Sequence, residues 1–434
     1  MAFVLLSRGL SLASMARVGL CLALASASPA LCGETASPPT QDARPSVASG
    51  ETGLSPVELL GKKVFEDARL SEPPGVSCAS CHDGAKAFQG NNGSPVAALA
   101  QGSRPGVLGA RNTPSLSYVS FGPPFGFTQK TDEETGKVEL VPVGGQFLDG
   151  RADDLVAQVE GPLLNPREMN NPSKAAVVAK IEAGDYAGLA RRVYGDDVFT
   201  DANAAFEKLA RAVAAFESTP RFHPFASKFD AFLRGREKLT KQEAHGFELF
   251  KDKKKGNCIA CHVGKEDSNS PEDWLFTDFS YDALGAPRSR DIPDNKEASY
   301  VDLGLCKREG LAKIAPKGVE IDSLCGQFKA PTLRNIAITG PYLHNGVFSR
   351  LRDVVAFYAT RDTNPERWYP KRDGKTAKYD DLPKEFHDNV NTKEVPYDRK
   401  PGQKPRLNDE EIDAIVAFLQ TLTDRPASTE RGEK

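Results

Sequence analysis

Apolar positions recur at helical spacing in five stretches of the 434-residue chain, and each stretch predicts an amphipathic helix. Two of the stretches, 54–65 and 239–250, repeat one pattern, L-S/T-x-x-E-x-x-G-x-x-V/L-F. In both copies a hydroxyl residue and the glutamate three positions later form a capping box, which is typical of a helix N-terminus. The other predicted helices cover 174–183, 204–217 and 409–422.

Strand patterns are few in this sequence. One stretch, GKVELVPV at 136–143, predicts an arm of a β-hairpin. The chain is longer than one ordinary domain, which favours two domains. The predicted fold class is therefore mainly α, and the two copies of the repeated helix mark the beginning of two related halves.

The N-terminal residues differ from the rest of the chain. Residues 1–32 contain Arg8 and Arg17, a short apolar run and then small residues, which is typical of a secretory signal peptide. The apolar run is too short to span a bilayer. Residues 33–53 are rich in proline, serine and threonine and predict a disordered leader. We therefore expect an exported, periplasmic protein without a transmembrane segment in its mature chain.

Composition and charge describe a soluble globular protein, with 39% hydrophobic and 26% charged residues. The formal net charge of −3 gives no reason to expect a nucleic acid as partner. Of the eight cysteines, two lie in the predicted signal peptide and four in a repeated motif. The remaining two, Cys306 and Cys325, could form a disulfide in an oxidising compartment or stay as two buried thiols.

The repeated motif is CxxCH, which occurs as CASCH at 78–82 and CIACH at 258–262, each after one of the repeated helices. Two thiols at this spacing form thioethers with the vinyl groups of a haem, and the next residue binds the iron. Zinc is the main alternative, but structural zinc sites bring their ligands within tens of residues. A thioredoxin-like CxxC would need a βαβ setting. We therefore expect two covalent haems, attached and ligated by Cys78, Cys81, His82, Cys258, Cys261 and His262.

Two c-type cytochrome domains follow, at 54–220 and 221–434, each with one covalent haem. Ligands for the opposite faces of the irons are scarce. Between His82 and the end of the first domain the only methionine is Met169, and no methionine follows His262. A simple electron carrier has His/Met or His/His ligation at its iron. The second haem cannot have a methionine ligand from its own half.

From Leu54 to Leu422 the chain resembles the bacterial di-haem cytochrome c peroxidase and MauG family. The resemblance rests on SCASCHDG, RNTPSL (111–116), FLDGRADDLVAQVEGPLLNPREM (147–169), FKAPTLRNIAITGPYLHNG (328–346) and LRDVVAFY (351–358). In that family peroxide reacts at the first haem, and the second haem relays electrons. The resemblance implies an oxidoreductase that uses hydrogen peroxide.

The resemblance also implies roles for three residues. Gln158 and Glu168 match the glutamine and glutamate of the peroxide site, where a carboxylate transfers a proton between the two peroxide oxygens. From its sequence context alone, Glu168 would be predicted to be a surface residue or a helix-capping acid. The segment before RNTPSL lacks the histidine that closes the first haem in the peroxidases, so we expect an open first haem, as in MauG.

Tyr358 falls where the peroxidases have the methionine ligand of the second haem and MauG has a tyrosine. The alternative is a core tyrosine, since Tyr358 shares a helical face with apolar residues.

A His/Tyr second haem would allow a bis-Fe(IV) state, because a phenolate stabilises oxidised iron. The resemblance further implies a calcium ion between the haems, held by the Asn112 side chain and the backbone of Thr339 and Pro341. Asn112 could instead only shape its turn. Two positions depart from MauG: its inter-haem tryptophan is Leu148 here, and its tryptophan before the second CxxCH is Gly256.

The predicted function is MauG-like: oxidation of a partner protein with hydrogen peroxide. The alternative is peroxide reduction with electrons from a small cytochrome or copper protein. A non-catalytic electron-transfer cytochrome is a third class.

An insertion at roughly 123–144 precedes Gln158, and it could restrict access to the first haem. The lysine-rich stretch KDKKKGNC at 251–258 is either a solvated loop or a docking site for an acidic partner.

Overall fold

Helices carry most of the regular structure in the computed structural model, which describes residues 53–131 and 136–425. All five predicted helices are present, and their ends agree with the prediction within two residues. The predicted signal peptide (1–32) and nearly all of the predicted leader (33–53) lie outside the described residues. The α-helices are α1 (Pro56–Glu66), α2 (Cys78–Cys81), α3 (Leu155–Leu164), α4 (Lys174–Glu182), α5 (Ala187–Tyr194), α6 (Ala202–Glu217), α7 (Lys228–Leu233), α8 (Lys241–Lys251), α9 (Leu311–Ile314), α10 (Leu351–Thr360) and α11 (Asp409–Gln420).

The repeated pattern produces the same local structure twice. Ser55 and Glu58 form the predicted capping box of α1, and Thr240 and Glu243 form that of α8. The glycine of each copy lies where the helix crosses a later helix: α1 crosses α6 and α8 crosses α11. A Cβ atom at Gly61 would lie 1.9 Å from the carbonyl oxygen of Ala212. The corresponding glycine of α8 meets the backbone of α11 in the same way, so both crossings require a residue without a side chain.

Two large groups of buried apolar side chains form the core. The first draws its members from 60–222, with α1, α3, α4 and α6 as main contributors. The second draws its members from 229–422, with α8, α10 and α11. Each group contains the pair of crossing helices that belongs to one copy of the repeat.

The strands form three small antiparallel pairs. β1 (Gly126–Thr131) pairs with β2 (Val138–Val143), which confirms the predicted hairpin arm. β3 (Tyr281–Asp282) pairs with β4 (Phe328–Lys329), and β5 (Lys371–Arg372) pairs with β6 (Lys375–Thr376). Little strand and many helices agree with the predicted mainly α class.

A buried ion pair anchors the segment that follows β4. The Arg334 guanidinium lies 2.8 Å from the carboxylate of Asp230, and both side chains are fully buried. Arg334 also donates to the backbone oxygens of Pro271 and Trp274, so its other donors are satisfied. The ring of Tyr118 lies 5.0 Å from the guanidinium. A buried pair with this many partners keeps the chain after β4 in one conformation.

Within the described residues, two cysteines lie outside the CxxCH motifs, and they are paired. Cys306 and Cys325 form a disulfide with a Cα–Cα distance of 4.8 Å. The bond closes a loop of 19 residues, which in the chain-entropy description stabilises the fold by about 3 kcal/mol. Of the two alternatives that the sequence leaves open, the structure has the disulfide. Among the described helices, none has the length and apolar character required to cross a membrane.

Candidate functional site

The first CxxCH consists of the single helical turn α2 followed by His82. Nδ1 of His82 donates to the carbonyl oxygen of Phe88 at 2.9 Å, which leaves Nε2 with its lone pair free. Burial lowers the pKa of His82, which favours the neutral imidazole, the form that binds a metal. Cys78 and Cys81 are free, and burial raises the pKa of both thiols. These are the groups that covalent attachment of a haem requires.

A cavity of about 540 Å³ opens beside this motif. Its lining contains Cys78, Cys81 and His82 together with Gln158 and Glu168. The structure therefore brings together all the residues that the sequence predicts for the peroxide site. Among the described lining residues, His82 is the one histidine, and no second imidazole is available to close the site.

Glu168 is held in this cavity by a short turn after α3. Nδ2 of Asn165 donates to Oε1 of Glu168 at 2.6 Å. Burial raises the pKa of Glu168, although Arg151 and the bond from Asn165 act in the opposite direction. Burial thus stabilises the protonated form of this carboxyl group relative to that of an exposed glutamate. Glu168 therefore lines the cavity together with His82.

Gln158 is positioned by α3 itself. Asp154 caps this helix by accepting a hydrogen bond from the Ala157 backbone at 2.8 Å. The next residue, Val159, is buried in the core, which holds this face of the helix against the rest of the first half. Gln158 itself lines the cavity.

Sequence reasoning missed Glu217, a buried acid in the same cavity. Glu217 is the last residue of α6, its side chain is 3% exposed, and it lines the cavity. Its Oε2 atom has no hydrogen-bond partner among the described residues. Burial raises the pKa of Glu217 to about 8. The sequence signal was weak, because an acid at the end of an amphipathic helix is usually exposed.

Glu217 should make stability depend on pH. The folded chain holds this proton up to a pKa of about 8, while the ordinary value is 4.5, so stability falls as the pH rises through that window. Each pKa unit corresponds to about 1.4 kcal/mol. We therefore expect Glu217→Gln to raise the free energy of unfolding by a few kcal/mol at pH 9 and to change it little at pH 4. Unfolding at several pH values measures this.

The control for this prediction is Glu207→Gln. Glu207 lies on the same helix but is exposed and paired with Arg211, so its removal should shift stability little at any pH. Parallel pH profiles for the wild type and Glu217→Gln would contradict the prediction.

The second CxxCH repeats the geometry of the first. Nδ1 of His262 donates to the carbonyl oxygen of Phe276 at 3.0 Å, and burial lowers the pKa of His262. Cys258 and Cys261 are free. A cavity of about 270 Å³ adjoins the motif and is lined by all three residues and by Tyr358.

Tyr358 lies on α10 with its side chain toward this second cavity. Its hydroxyl makes no hydrogen bond with any described residue, and burial raises its pKa. The other histidine of the cavity wall, His344, stacks on Phe328 at 3.7 Å and has Nε2 within 3.3 Å of Asp381. No methionine is among the described lining residues. Tyr358 therefore lines the second cavity together with His262, as the sequence predicts.

A second tyrosine, Tyr397, was not singled out from the sequence. Its ring lies 5.8 Å from that of Tyr358 at an interplanar angle of 70°, and it lines the same cavity. The guanidinium of Arg361 lies 4.6 Å from the Tyr397 ring centroid. Tyr397 is 39 positions further along the chain, so only the fold brings the two rings together.

The two cavities have a common wall, which we call the shared wall. It includes Leu148, where MauG has its tryptophan. Gly256, the other position that departs from MauG, lines the second cavity alone. The residues of the shared wall are Asn112, Thr113, Pro114, Ser115, Leu148, Lys329, Ala330, Pro331 and Thr332.

The predicted calcium ligands lie near this wall. Nδ2 of Asn112 donates to the carbonyl oxygens of Pro341 and Leu343 at 2.6 and 3.1 Å. The Oδ1 atom of Asn112 is buried and has no partner among the described residues. Thr339 and Pro341 both line the second cavity with Asn112. In the described part of the chain no cluster of three or more His, Cys, Asp or Glu side chains could hold a metal ion.

The lysine-rich stretch before the second CxxCH is partly neutralised. Lys251 lies 3.1 Å from Glu248, and Lys255 lies 2.6 Å from Glu411. At least two of the four lysines are therefore engaged in ion pairs within the chain.

Comparison with known proteins gives the same picture. The sequence model described as di-haem cytochrome c peroxidase matches residues 56–238. The methylamine utilization protein MauG of Paracoccus denitrificans is 36% identical over 84% of this chain and 88% of its own length. The cytochrome c551 peroxidase of Nitrosomonas europaea is 27% identical over 85% of this chain and 80% of its own length.

Solved structures agree. The crystal structure of the diheme peroxidase BthA from Burkholderia thailandensis has a TM-score of 0.77 and 42% sequence identity, and it covers 85% of this chain and 86% of that one. The resemblance seen in the sequence motifs is thereby confirmed. The chain belongs to the di-haem cytochrome c peroxidase family and is an oxidoreductase with two c-type haems.

Proposed function

We propose that the protein is a periplasmic oxidoreductase of MauG type, which reacts with hydrogen peroxide at its first haem and oxidises a partner protein. The observation that carries this proposal is Tyr358 in the second cavity, with a hydroxyl that has no hydrogen-bond partner among the described residues. Cys78, Cys81 and His82 would hold the first haem, and Cys258, Cys261, His262 and Tyr358 the second. Separate cores around the two motifs support one haem in each half.

When bound, the haems would supply the reaction with peroxide and the storage of two oxidising equivalents, one on each iron. The protein side chains would handle protons and orientation. Glu168 would take a proton from one peroxide oxygen and return it to the other, and the Gln158 amide would hold the peroxide by hydrogen bonds. The absence of a second imidazole among the described residues of the first cavity supports an open binding position.

We also propose a calcium ion beside the shared wall, with Asn112, Thr339 and Pro341 as ligands. The partnerless Oδ1 atom of Asn112 supports this, since a buried amide oxygen without a partner is rare and would suit a hard cation. Two carbonyl oxygens within hydrogen-bond distance of the same amide add to the oxygen donors available there.

Peroxide reduction with electrons from a small cytochrome or copper protein is the second candidate. Relatives named cytochrome c peroxidase, at 27–28% identity, favour it. One structural neighbour is a variant of BthA, a diheme peroxidase, in which methionine replaces a tyrosine. A pure electron carrier is less well supported, because Glu168 and Gln158 lie together in a cavity that such a carrier does not need.

The test is haem content and spin state. We expect two covalently attached haems by intact mass, and one high-spin and one low-spin ferric signal by electron paramagnetic resonance. The high-spin signal should come from the first haem, because its cavity offers no second imidazole and its one described methionine, Met169, is packed in the apolar core. Two low-spin signals would contradict the open first site and favour the electron carrier.

A further inference from the structure

Lys329 is the charged residue of the shared wall. Among the described residues that line both cavities, it alone carries a charge. The neighbouring Leu148 is apolar, and the remaining members are small, polar without charge, or proline. Whatever occupies the two cavities therefore lies against the same lysine residue.

Backbone and side-chain bonds hold Lys329 in place. It belongs to β4, and its backbone N–H donates to the carbonyl oxygen of Leu148 at 2.8 Å. Its Nζ atom donates to the carbonyl oxygen of Gly145 at 2.5 Å. The ammonium is thus fixed between the segment before α3 and the segment that Arg334 anchors.

The charge of Lys329 is not neutralised locally. It forms no ion pair with any described residue, and its closest acidic influence, Asp149, is already paired with Arg111 and Arg151 at 2.5 and 2.9 Å. Burial lowers the pKa of Lys329 to about 8, against the opposing effect of Asp149. The side chain is therefore mostly protonated at pH 7. A buried cation without its own counter-ion is costly, which points to an anionic group in the cavities beside it.

We propose that Lys329 is a positioning residue that presents one positive charge to both haems and so raises the reduction potential of both. This inference rests on the proposed occupation of both cavities by haem. A positive charge disfavours oxidised iron relative to reduced iron, and its effect extends further in a poorly polarisable interior than in water. A haem carboxylate that pairs with Lys329 would not change the sign, since loss of the lysine would then leave that carboxylate uncompensated.

The experiment is a spectroelectrochemical titration of both haems in the full chain. Lys329→Met and Lys329→Gln remove the charge, and we expect both midpoint potentials to shift downward in each variant. Lys329→Arg keeps the charge and should restore both potentials. Lys307→Met is the matched control, because Lys307 is exposed and lines only the first cavity; it should leave the second potential unchanged.

The outcomes separate the inference from the proposed function. Potentials that stay in place, a shift of only one haem, or an arginine variant that behaves like the methionine variant would each overturn the shared charge. A wild-type chain that carries fewer than two haems would overturn the proposed function and the inference together. A downward shift of both potentials with rescue by arginine supports the inference, because a loss of packing alone would not follow the sign of the charge.

Discussion

Tyr358→Met is expected to raise the reduction potential of the second haem strongly while both haems stay attached. A thioether ligand favours ferrous iron, whereas a phenolate favours ferric iron. The variant should therefore be reduced easily and should fail to hold the second oxidising equivalent after peroxide is added. A redox titration measures the first effect. The near-infrared charge-resonance band, expected from the resemblance to MauG, reports the second.

Two further variants make this test specific. Tyr358→Phe removes the ligand without replacing it, so the second haem should become five-coordinate or bind water. Tyr397→Phe is the matched control, because Tyr397 lines the same cavity and contacts the Tyr358 ring. If the Tyr358 variants keep the wild-type potential and band, Tyr358 is a packing residue. A change in Tyr397→Phe alone would assign the ligand to Tyr397.

Glu168→Gln is expected to slow the reaction with peroxide by about 10²–10⁴-fold, which is the usual loss when a general acid–base group is removed. Glutamine has nearly the same shape and can still hydrogen-bond to Asn165, but it cannot carry the proton between the peroxide oxygens. Stopped-flow mixing with peroxide measures the rate. Haem content and the spin state at rest should not change.

The control for Glu168 is Glu160→Gln. Glu160 is on α3 with Gln158, but its carboxylate is partly exposed and pairs with Lys174 at 2.8 Å rather than lining the cavity. Its replacement should leave the peroxide rate near that of the wild type. An unchanged rate in Glu168→Gln would make Glu168 a structural residue.

The sequence could predict the parts of the fold that depend on local signals. Capping residues and apolar spacing located α1 and α8 within two residues, because a helix N-terminus is specified by a few neighbouring side chains. The CxxCH motifs were equally local. In each motif a nearby carbonyl oxygen holds the histidine, at Phe88 and at Phe276. The motifs could be recognised from five consecutive residues without knowledge of these contacts.

The positions of Gln158 and Glu168 came from the family resemblance and not from periodicity. Their common cavity with His82 agrees with that resemblance. Glu217, Lys329 and Tyr397 were missed for a physical reason: each matters through burial and through neighbours that are far away in sequence. Nothing local distinguishes a buried lysine or glutamate from an exposed one before the chain is folded.

The make-up of the shared wall has a consequence for durability. None of the described residues that line both cavities is aromatic or contains sulfur. Methionine and cysteine are the side chains that oxidants attack first, and aromatic rings are the ones that lose an electron most easily. With Leu148 in place of a tryptophan, the shared wall contains no side chain that is readily oxidised. Such a wall would survive many turnovers without chemical change, and oxidation would fall instead on side chains outside it, such as Met169 in the first cavity and Tyr358 in the second.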